Sequence, residues 1–150
     1  MVENNLLLED WKMAKDRIKH FDDTMIKIRI QGIPIATAIF AIGATTYQYI
    51  HNVRISIPYF SINASALVIL IGTMYLIPIF ALDMFHYKLL TIAVKRAREI
   101  ESDPLTNNQL QITTRLTSPM LTWFHTLTAL FLYVALLIAG IMLTYVVNLN

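Results

Sequence analysis

Apolar residues recur at alternating intervals of three and four along the first 28 residues of the chain, with charged residues between them. This heptad spacing predicts an amphipathic helix over residues 4–27 that packs along one narrow face. A membrane surface could cover such a face, but so narrow a seam favours a partner helix. The i,i+4 pairs Asp16–His20 and Asp23–Lys27 are expected to support the helix. The residues of the stripe are Leu7, Trp11, Ala14, Ile18, Phe21, Met25 and Ile28.

Three further segments are predominantly apolar and are predicted to cross a membrane: residues 28–50, 58–82 and 119–147. A helix of about 20 residues spans the hydrocarbon core of about 30 Å, and each segment is at least that long. Pro34 is expected to kink or break the first span, and Pro78 is expected to bend the second span near its end.

Small residues form a row along the first predicted span at Thr37, Ala41 and Thr45, with Gly32 and Ala36 on an adjacent row. Such rows allow two helices to approach closely. The threonine hydroxyls either bond to carbonyl groups of their own helix, which is the interpretation we favour, or line a polar path through the membrane.

Residues 83–102 are charged again and form a second amphipathic segment. Its apolar stripe is expected to pack on the first amphipathic helix, because both segments adjoin predicted spans. Residues 103–118 are predicted to be a loop, either on the surface or re-entrant. The stripe consists of Tyr87, Leu90, Val94 and Ala97, widened by Phe85, Leu89 and Ile92.

The predicted fold is therefore an all-α integral membrane protein of one domain. It has three transmembrane helices, and the first two continue as a cytoplasmic amphipathic helical hairpin. Spans this short bury little surface alone, so a homo-oligomer or a complex with another protein is expected. The residues predicted to pack within the hairpin or between copies are Leu7, Trp11, Ile18, Phe21, Met25, Leu90 and Val94.

The distribution of basic residues predicts the orientation in the membrane. Of the 12 Lys and Arg residues, only Arg54 falls on the far side of this three-span arrangement. Basic residues stay on the cytoplasmic side, which predicts a cytoplasmic N-terminus and an external C-terminus. The composition, 56% hydrophobic and 15% charged, is typical of membrane proteins, and a net charge of +2 does not indicate nucleic-acid binding. No cleaved signal peptide is expected.

Four ionisable residues lie near the predicted cytoplasmic boundary of the spans: Arg29, Asp83, His86 and His125. Ionisable groups at that depth are costly unless paired, and they often serve function. The cluster either gates a permeation path or, as we favour, contains an Asp83–Arg29 pair that sets helix register. A metal site at Asp83, His86 and His125, or haem bound by His125, has less support. We expect neither a metal nor a cofactor.

The sequence contains no catalytic motif. It has no cysteine, which excludes thiolate metal sites, disulfides and cysteine nucleophiles. No serine lies in a Gly-x-Ser-x-Gly context, and four glycines in total do not form a phosphate-binding loop. We therefore expect a protein that is not an enzyme.

The chain resembles a known group of membrane proteins in the order of its predicted elements, which are an amphipathic helix, two spans and an amphipathic return helix. The return helix opens with Asp83-Met-Phe-His-Tyr87 and closes with Ala97-Arg-Glu-Ile-Glu101. This arrangement resembles the small multi-spanning membrane effectors of bacterial antiphage and CRISPR-associated operons. The resemblance implies a homo-oligomer of the bacterial inner membrane that perturbs the membrane when a signal or an activating protein partner engages it.

The chain departs from that group in two respects. It contains no cyclic-nucleotide sensor domain, so we expect the trigger to come from another protein or a ligand. It also lacks the Arg-x(4–6)-His spacing of the members that resemble membrane-linked ribonucleases.

Three functions remain open from the sequence. The first is a pore-forming or membrane-perturbing effector that is not an enzyme. The second is an accessory subunit that anchors a larger membrane enzyme or transporter. The third is a small membrane enzyme or metal or haem protein, which depends only on Asp83, His86 and His125.

Overall fold

A computed structural model describes residues 2–50, 53–58, 60–103 and 119–149, with the side chains of 2–5, 50, 57, 60 and 119–126 left undescribed. Helices account for 91% of these residues, which confirms the all-α class. The elements in order are helix α1 (Val2–Ile50), strands β1 (Arg54–Ile57) and β2 (Phe60–Asn63), helix α2 (Ala64–Glu101) and helix α3 (Pro119–Leu149). The predicted loop at 103–118 lies outside the described residues from position 104 onward.

Three helices are long and apolar enough to cross a membrane. The candidate spans lie within Leu6–Tyr49, Ala64–Glu101 and Leu127–Leu149, with mean hydropathies of 1.5, 2.3 and 2.5. These three candidates agree with the predicted number of spans.

Neither proline interrupts its helix. Pro34 lies inside α1 and Pro78 lies inside α2, and both helices continue past them. The predicted break at Pro34 is therefore wrong, and the alternative of a kink stays a prediction. A proline inside a helix removes one backbone hydrogen bond at a cost of about 3 kcal/mol, yet helices of 49 and 38 residues continue past Pro34 and Pro78.

A two-stranded hairpin precedes α2, where the sequence had suggested that the second span starts at residue 58. Strands β1 and β2 are antiparallel, with Arg54 opposite Asn63 and Ile57 opposite Phe60. Helix α2 begins only at Ala64. The predicted start at 58 is corrected by six residues, because alternating polar and apolar residues here pair as strands rather than continue the helix.

Asn63 fixes the start of α2 and holds the end of α3 beside it. Its Oδ1 accepts a hydrogen bond from the Ser65 amide at 2.9 Å, the arrangement of a helix N-cap. The backbone N–H of Asn63 donates to Asn148 Oδ1 at 3.0 Å. The hairpin is thereby joined to α3, which compensates for the marginal stability of an isolated pair of strands.

The chain divides into two compact units. One contains Met1–Lys27 and Leu82–Thr128 and is called here the charged unit; the other contains Ile28–Ala81 and Ala129–Asn150 and is called the apolar unit. The part of α1 up to Lys27 and the part of α2 from Leu82 onward belong to the charged unit, and the rest of each helix belongs to the apolar unit.

Glycines allow three helices to meet closely in the apolar unit. A Cβ placed on Gly72 of α2 would lie 2.9 Å from Ile39 and Phe40 of α1. A Cβ on Gly140 of α3 would lie 3.0 Å from Phe40 Cζ and would overlap the side chain of Thr73. At the hairpin end of this unit, Ile62, Ala66, Ile69 and Val147 form a buried cluster.

Candidate functional site

The heptad stripe of α1 forms the least exposed face of that helix. Ala14 and Met25 are buried, with Met25 only 1% exposed. The other five stripe residues, Leu7, Trp11, Ile18, Phe21 and Ile28, are half-buried. The predicted Asp16–His20 and Asp23–Lys27 ion pairs do not form within the described part of the chain, and all four of these side chains are exposed.

The stripe of α2 is only partly the predicted one. Leu90 and Val94 are half-buried, as a packing face requires. Phe85 and Ile92, predicted to widen that face, are instead 56% and 65% exposed. Ala97 of the predicted stripe is buried, and Ala93, Ile100 and Glu101, which were not predicted, are buried as well.

Polar side chains of described residues join α1 to α2 in the charged unit. The indole Nε1 of Trp11 donates to Glu101 Oε1 at 3.1 Å, and Glu101 is only 2% exposed. Arg96 lies 2.9 Å from Asp10 and 3.7 Å from Glu99. These contacts fix the antiparallel register of the two helices.

A groove of about 670 Å³ runs between α1 and α2 in the charged unit. Apolar side chains from both helices line it, and several of them are exposed: Met13 is 53% and Ile92 is 65% exposed. Asp10, Arg96 and Glu99 lie along the same groove.

The residues of the predicted boundary cluster are divided between the two units. Asp83 and His86 belong to the charged unit and Arg29 to the apolar unit. Asp83 is fully buried, whereas Arg29 and His86 are half-buried. His86 Nδ1 lies 2.9 Å from the carbonyl oxygen of Leu82 in its own helix. The side chain of His125 lies outside the described residues, so the predicted cluster stays a prediction.

Threonine hydroxyls in the apolar unit donate to carbonyl groups of their own helices. Thr37 donates to Pro34 at 2.9 Å and Thr45 to Ala41 at 2.7 Å. Thr73 donates to Ile69 at 2.9 Å. This is the interpretation that the sequence favoured.

An exposed stripe of α1 in the apolar unit consists of small and polar residues, and Ile35 and Ile42 are exposed beside it. The row Thr37, Ala41 and Thr45 lies on this exposed side, whereas Gly32, Ala36 and Gly43 are buried against the rest of the unit. A fuller stripe of small and polar residues was missed from the sequence, although its spacing of three and four was visible there. Its exposed members are Gln31, Pro34, Ala38, Ala41, Thr45 and Gln48.

Large apolar side chains are exposed on all three helices of the apolar unit, such as Ile42 on α1, Ile71 on α2 and Phe131 on α3. On α2 and α3 the described exposed residues include no glutamine. Within the described part of the chain, no three His, Asp or Glu side chains lie close enough together to hold a metal ion.

Comparison with known proteins gives no match. No protein family matches the chain, and neither a curated protein nor a solved structure is significantly similar to it.

Proposed function

We propose that the protein is a multi-pass membrane protein that assembles from several copies and opens a pore or otherwise perturbs the membrane, without enzymatic activity. Three apolar helices and the one-sided distribution of Lys and Arg support insertion with the N-terminus in the cytoplasm. The charged unit then stands in the cytoplasm. The resemblance noted from the sequence suggests a bacterial inner membrane and a role in antiphage defence.

The observation that carries the proposal is the exposed small and polar stripe of α1. Polar side chains facing lipid are costly, and small residues favour close helix contact in membranes. Gln31 and Gln48 would meet lipid or its headgroups in a single copy, whereas assembly around this stripe would place them against other helices or an aqueous path. The aliphatic faces of α2 and α3 would then contact lipid.

Two matched pairs of substitutions test this assignment. The change Ala38→Leu with Ala41→Leu fills the stripe, and Ala135→Leu with Ala139→Leu alters exposed alanines on α3 by the same volume. We expect the first pair to reduce the native mass in lipid nanodiscs to a smaller assembly and to abolish conductance in planar bilayers. The α3 pair should leave both unchanged.

The same measurements decide against the proposal if they come out differently. Equal native mass and equal conductance of the two variants would show that the stripe does not mediate assembly. A single copy in nanodiscs for the unaltered protein would contradict the homo-oligomer and favour the accessory-subunit function, in which another protein covers the stripe. Phage challenge of cells that express the protein tests the defence role separately.

A further inference from the structure

We infer that the path through the assembled protein passes small anions, such as chloride, more readily than cations. This inference rests on the proposed function and deepens it, because it names the class of ion that the same site admits. It is carried by the distribution of charge between the two units and by two exposed basic residues, one near each end of the small and polar stripe of α1.

Acidic residues are confined to one of the two units. All ten Asp and Glu residues of the chain belong to the charged unit. The apolar unit contains Arg29 and Arg54 and no acidic residue. Whichever face of this unit lines an aqueous path, the unit therefore contributes no negative side chain. Cation channels use rings of Asp or Glu, and anion pores use rings of Arg or Lys, so the first of these two devices is missing from the apolar unit.

The exposed polar residues of the stripe are uncharged and do not select strongly by sign. The amides of Gln31 and Gln48 each offer two N–H donors and one carbonyl acceptor, so they can solvate either a cation or an anion. The hydroxyl of Thr45 donates to the carbonyl oxygen of Ala41 in its own helix at 2.7 Å. Selection between anions and cations is thus left to the charged residues at the ends of the stripe.

Lys27 supplies a positive charge at the inner end. It is exposed and precedes Gln31 by four residues within the continuous helix α1, so the two lie on one face about 6 Å apart along the axis. This spacing is shorter than the Debye length of about 8 Å at physiological ionic strength. The acidic residue that precedes Lys27 on this face, Asp23, is about 12 Å from Gln31 along the same axis, and Asp83 of α2 is fully buried.

Arg54 supplies a positive charge at the outer end. It lies in β1, four residues after the end of α1, and its side chain is exposed. Alternate residues of a strand face opposite sides, so Arg54 shares a face with the exposed Ser56, whereas Ile62 of β2 is buried in the core cluster. Its own unit contains no carboxylate with which it could pair. Each copy therefore adds one positive charge at this end, and an assembly of copies repeats it as a ring.

The two charges are expected to act with different strength. A unit charge about 6 Å away in water changes the local concentration of a monovalent ion about threefold, which is the expectation for Lys27. Arg54 is six residues after Gln48, a length of chain that spans at most about 20 Å. Salt screens a charge at such a distance, so the contribution of Arg54 should grow as the ionic strength is lowered.

The reversal potential of the full-length protein in planar bilayers tests the inference. Potassium and chloride diffuse at nearly equal rates in water, so a gradient of potassium chloride compares the two signs of charge directly. We expect chloride to be at least about three times as permeant as potassium. The reversal potential does not depend on how many assemblies insert, so a variant that assembles poorly still reports its selectivity.

Charge reversal assigns the effect to the two residues. Lys27→Glu should remove the preference for chloride, Arg54→Glu should reduce it most at low salt, and the two changes together should favour potassium. The neutral variants Lys27→Gln and Arg54→Gln should fall between these and the unaltered protein. The control Lys12→Glu makes the same change at an exposed residue of α1 that is about 22 Å further from the stripe than Lys27, and it should leave the permeability ratio unchanged.

The outcomes separate this inference from the function on which it rests. Conductance of the unaltered protein without a preference for chloride would overturn the inference and leave the pore in place. The same permeability ratio in the unaltered protein and the double variant would also overturn it, because these two charges would not govern the path. Absence of any conductance would instead contradict the proposed pore itself.

Discussion

Glu101 is a carboxylate with 2% of its surface exposed, and it accepts a hydrogen bond from the indole of Trp11 across the two helices of the charged unit. A buried carboxylate depends on its donors, because it has lost the hydration that it had in water. Trp11 also packs as a member of the α1 stripe, so one side chain supplies both apolar contact and a donor.

Trp11→Phe keeps the aromatic ring in the stripe and removes only the donor. A hydrogen bond to a charged group contributes about 1.5–3 kcal/mol, so we expect the free energy of unfolding to fall by about that amount in detergent denaturation. Glu101→Gln in the same background should cost less than it does alone, since the two residues are coupled. The exposed control Lys12→Ala should change the free energy by less than about 0.5 kcal/mol. If Trp11→Phe and Lys12→Ala lowered the free energy of unfolding equally, the hydrogen bond from the indole would not contribute to stability.

Residue patterns predicted α1 better than α2, for a physical reason. In α1 the apolar residues of the charged unit are separated by Lys, Arg and Asp, so one period stands out and coincides with the least exposed face. In α2, apolar residues occur on all sides from Leu82 to Val94. Their periodicity could not distinguish the core positions from Phe85 and Ile92, which are exposed.

At the scale of elements, α3 contacts its neighbours through Gly140. A Cβ there would overlap Thr73 of α2 and lie 3.0 Å from Phe40 Cζ of α1. Thr73 has little freedom to move, because its β-branched side chain is stiff and its hydroxyl is bonded to Ile69. Three helices therefore meet at a position where only a hydrogen atom fits.

Gly140→Ala should lower the thermal stability of the detergent-solubilised protein. Alanine gains about 1 kcal/mol of helix propensity over glycine, but overpacking of a tight contact costs about 1–3 kcal/mol, and contact on two sides places the cost towards the upper end. The control Ala135→Val adds two carbon atoms to an exposed residue of the same helix, one more than Gly140→Ala adds, and should leave the melting temperature nearly unchanged. A higher melting temperature for Gly140→Ala would show that propensity outweighs the contact.

The number of long helices could be predicted from the sequence, but their limits could not. Apolar length and composition suffice to identify three candidate spans. The hairpin at Arg54–Ile57 and Phe60–Asn63 was missed because its four-residue strands are short and its residues also suit a membrane interface. Its position depends on partners distant in sequence, above all the bond between Asn63 and Asn148, and local patterns do not reveal such contacts.

The whole molecule is expected to insert with one orientation, because its Lys and Arg residues are distributed very unequally between the two predicted sides of the membrane. All but one of the 12 Lys and Arg residues fall on the predicted cytoplasmic side, and Arg54 in the hairpin is the exception. The hairpin and the end of α2 should therefore lie on opposite sides of the membrane. A chain without cysteine allows this to be tested with single introduced thiols.

Ser56→Cys and Ser102→Cys form a matched pair, since both replace an exposed serine by a residue of similar size. Ser56 lies in β1 and Ser102 follows the last residue of α2. A membrane-impermeant maleimide should label Ser56→Cys in intact spheroplasts, and Ser102→Cys only after the membrane is opened. The reverse labelling would invert the orientation and place the charged unit outside the cell. Labelling of both thiols in intact spheroplasts would contradict insertion of α2, the one helix between them, because α2 would then not separate two compartments.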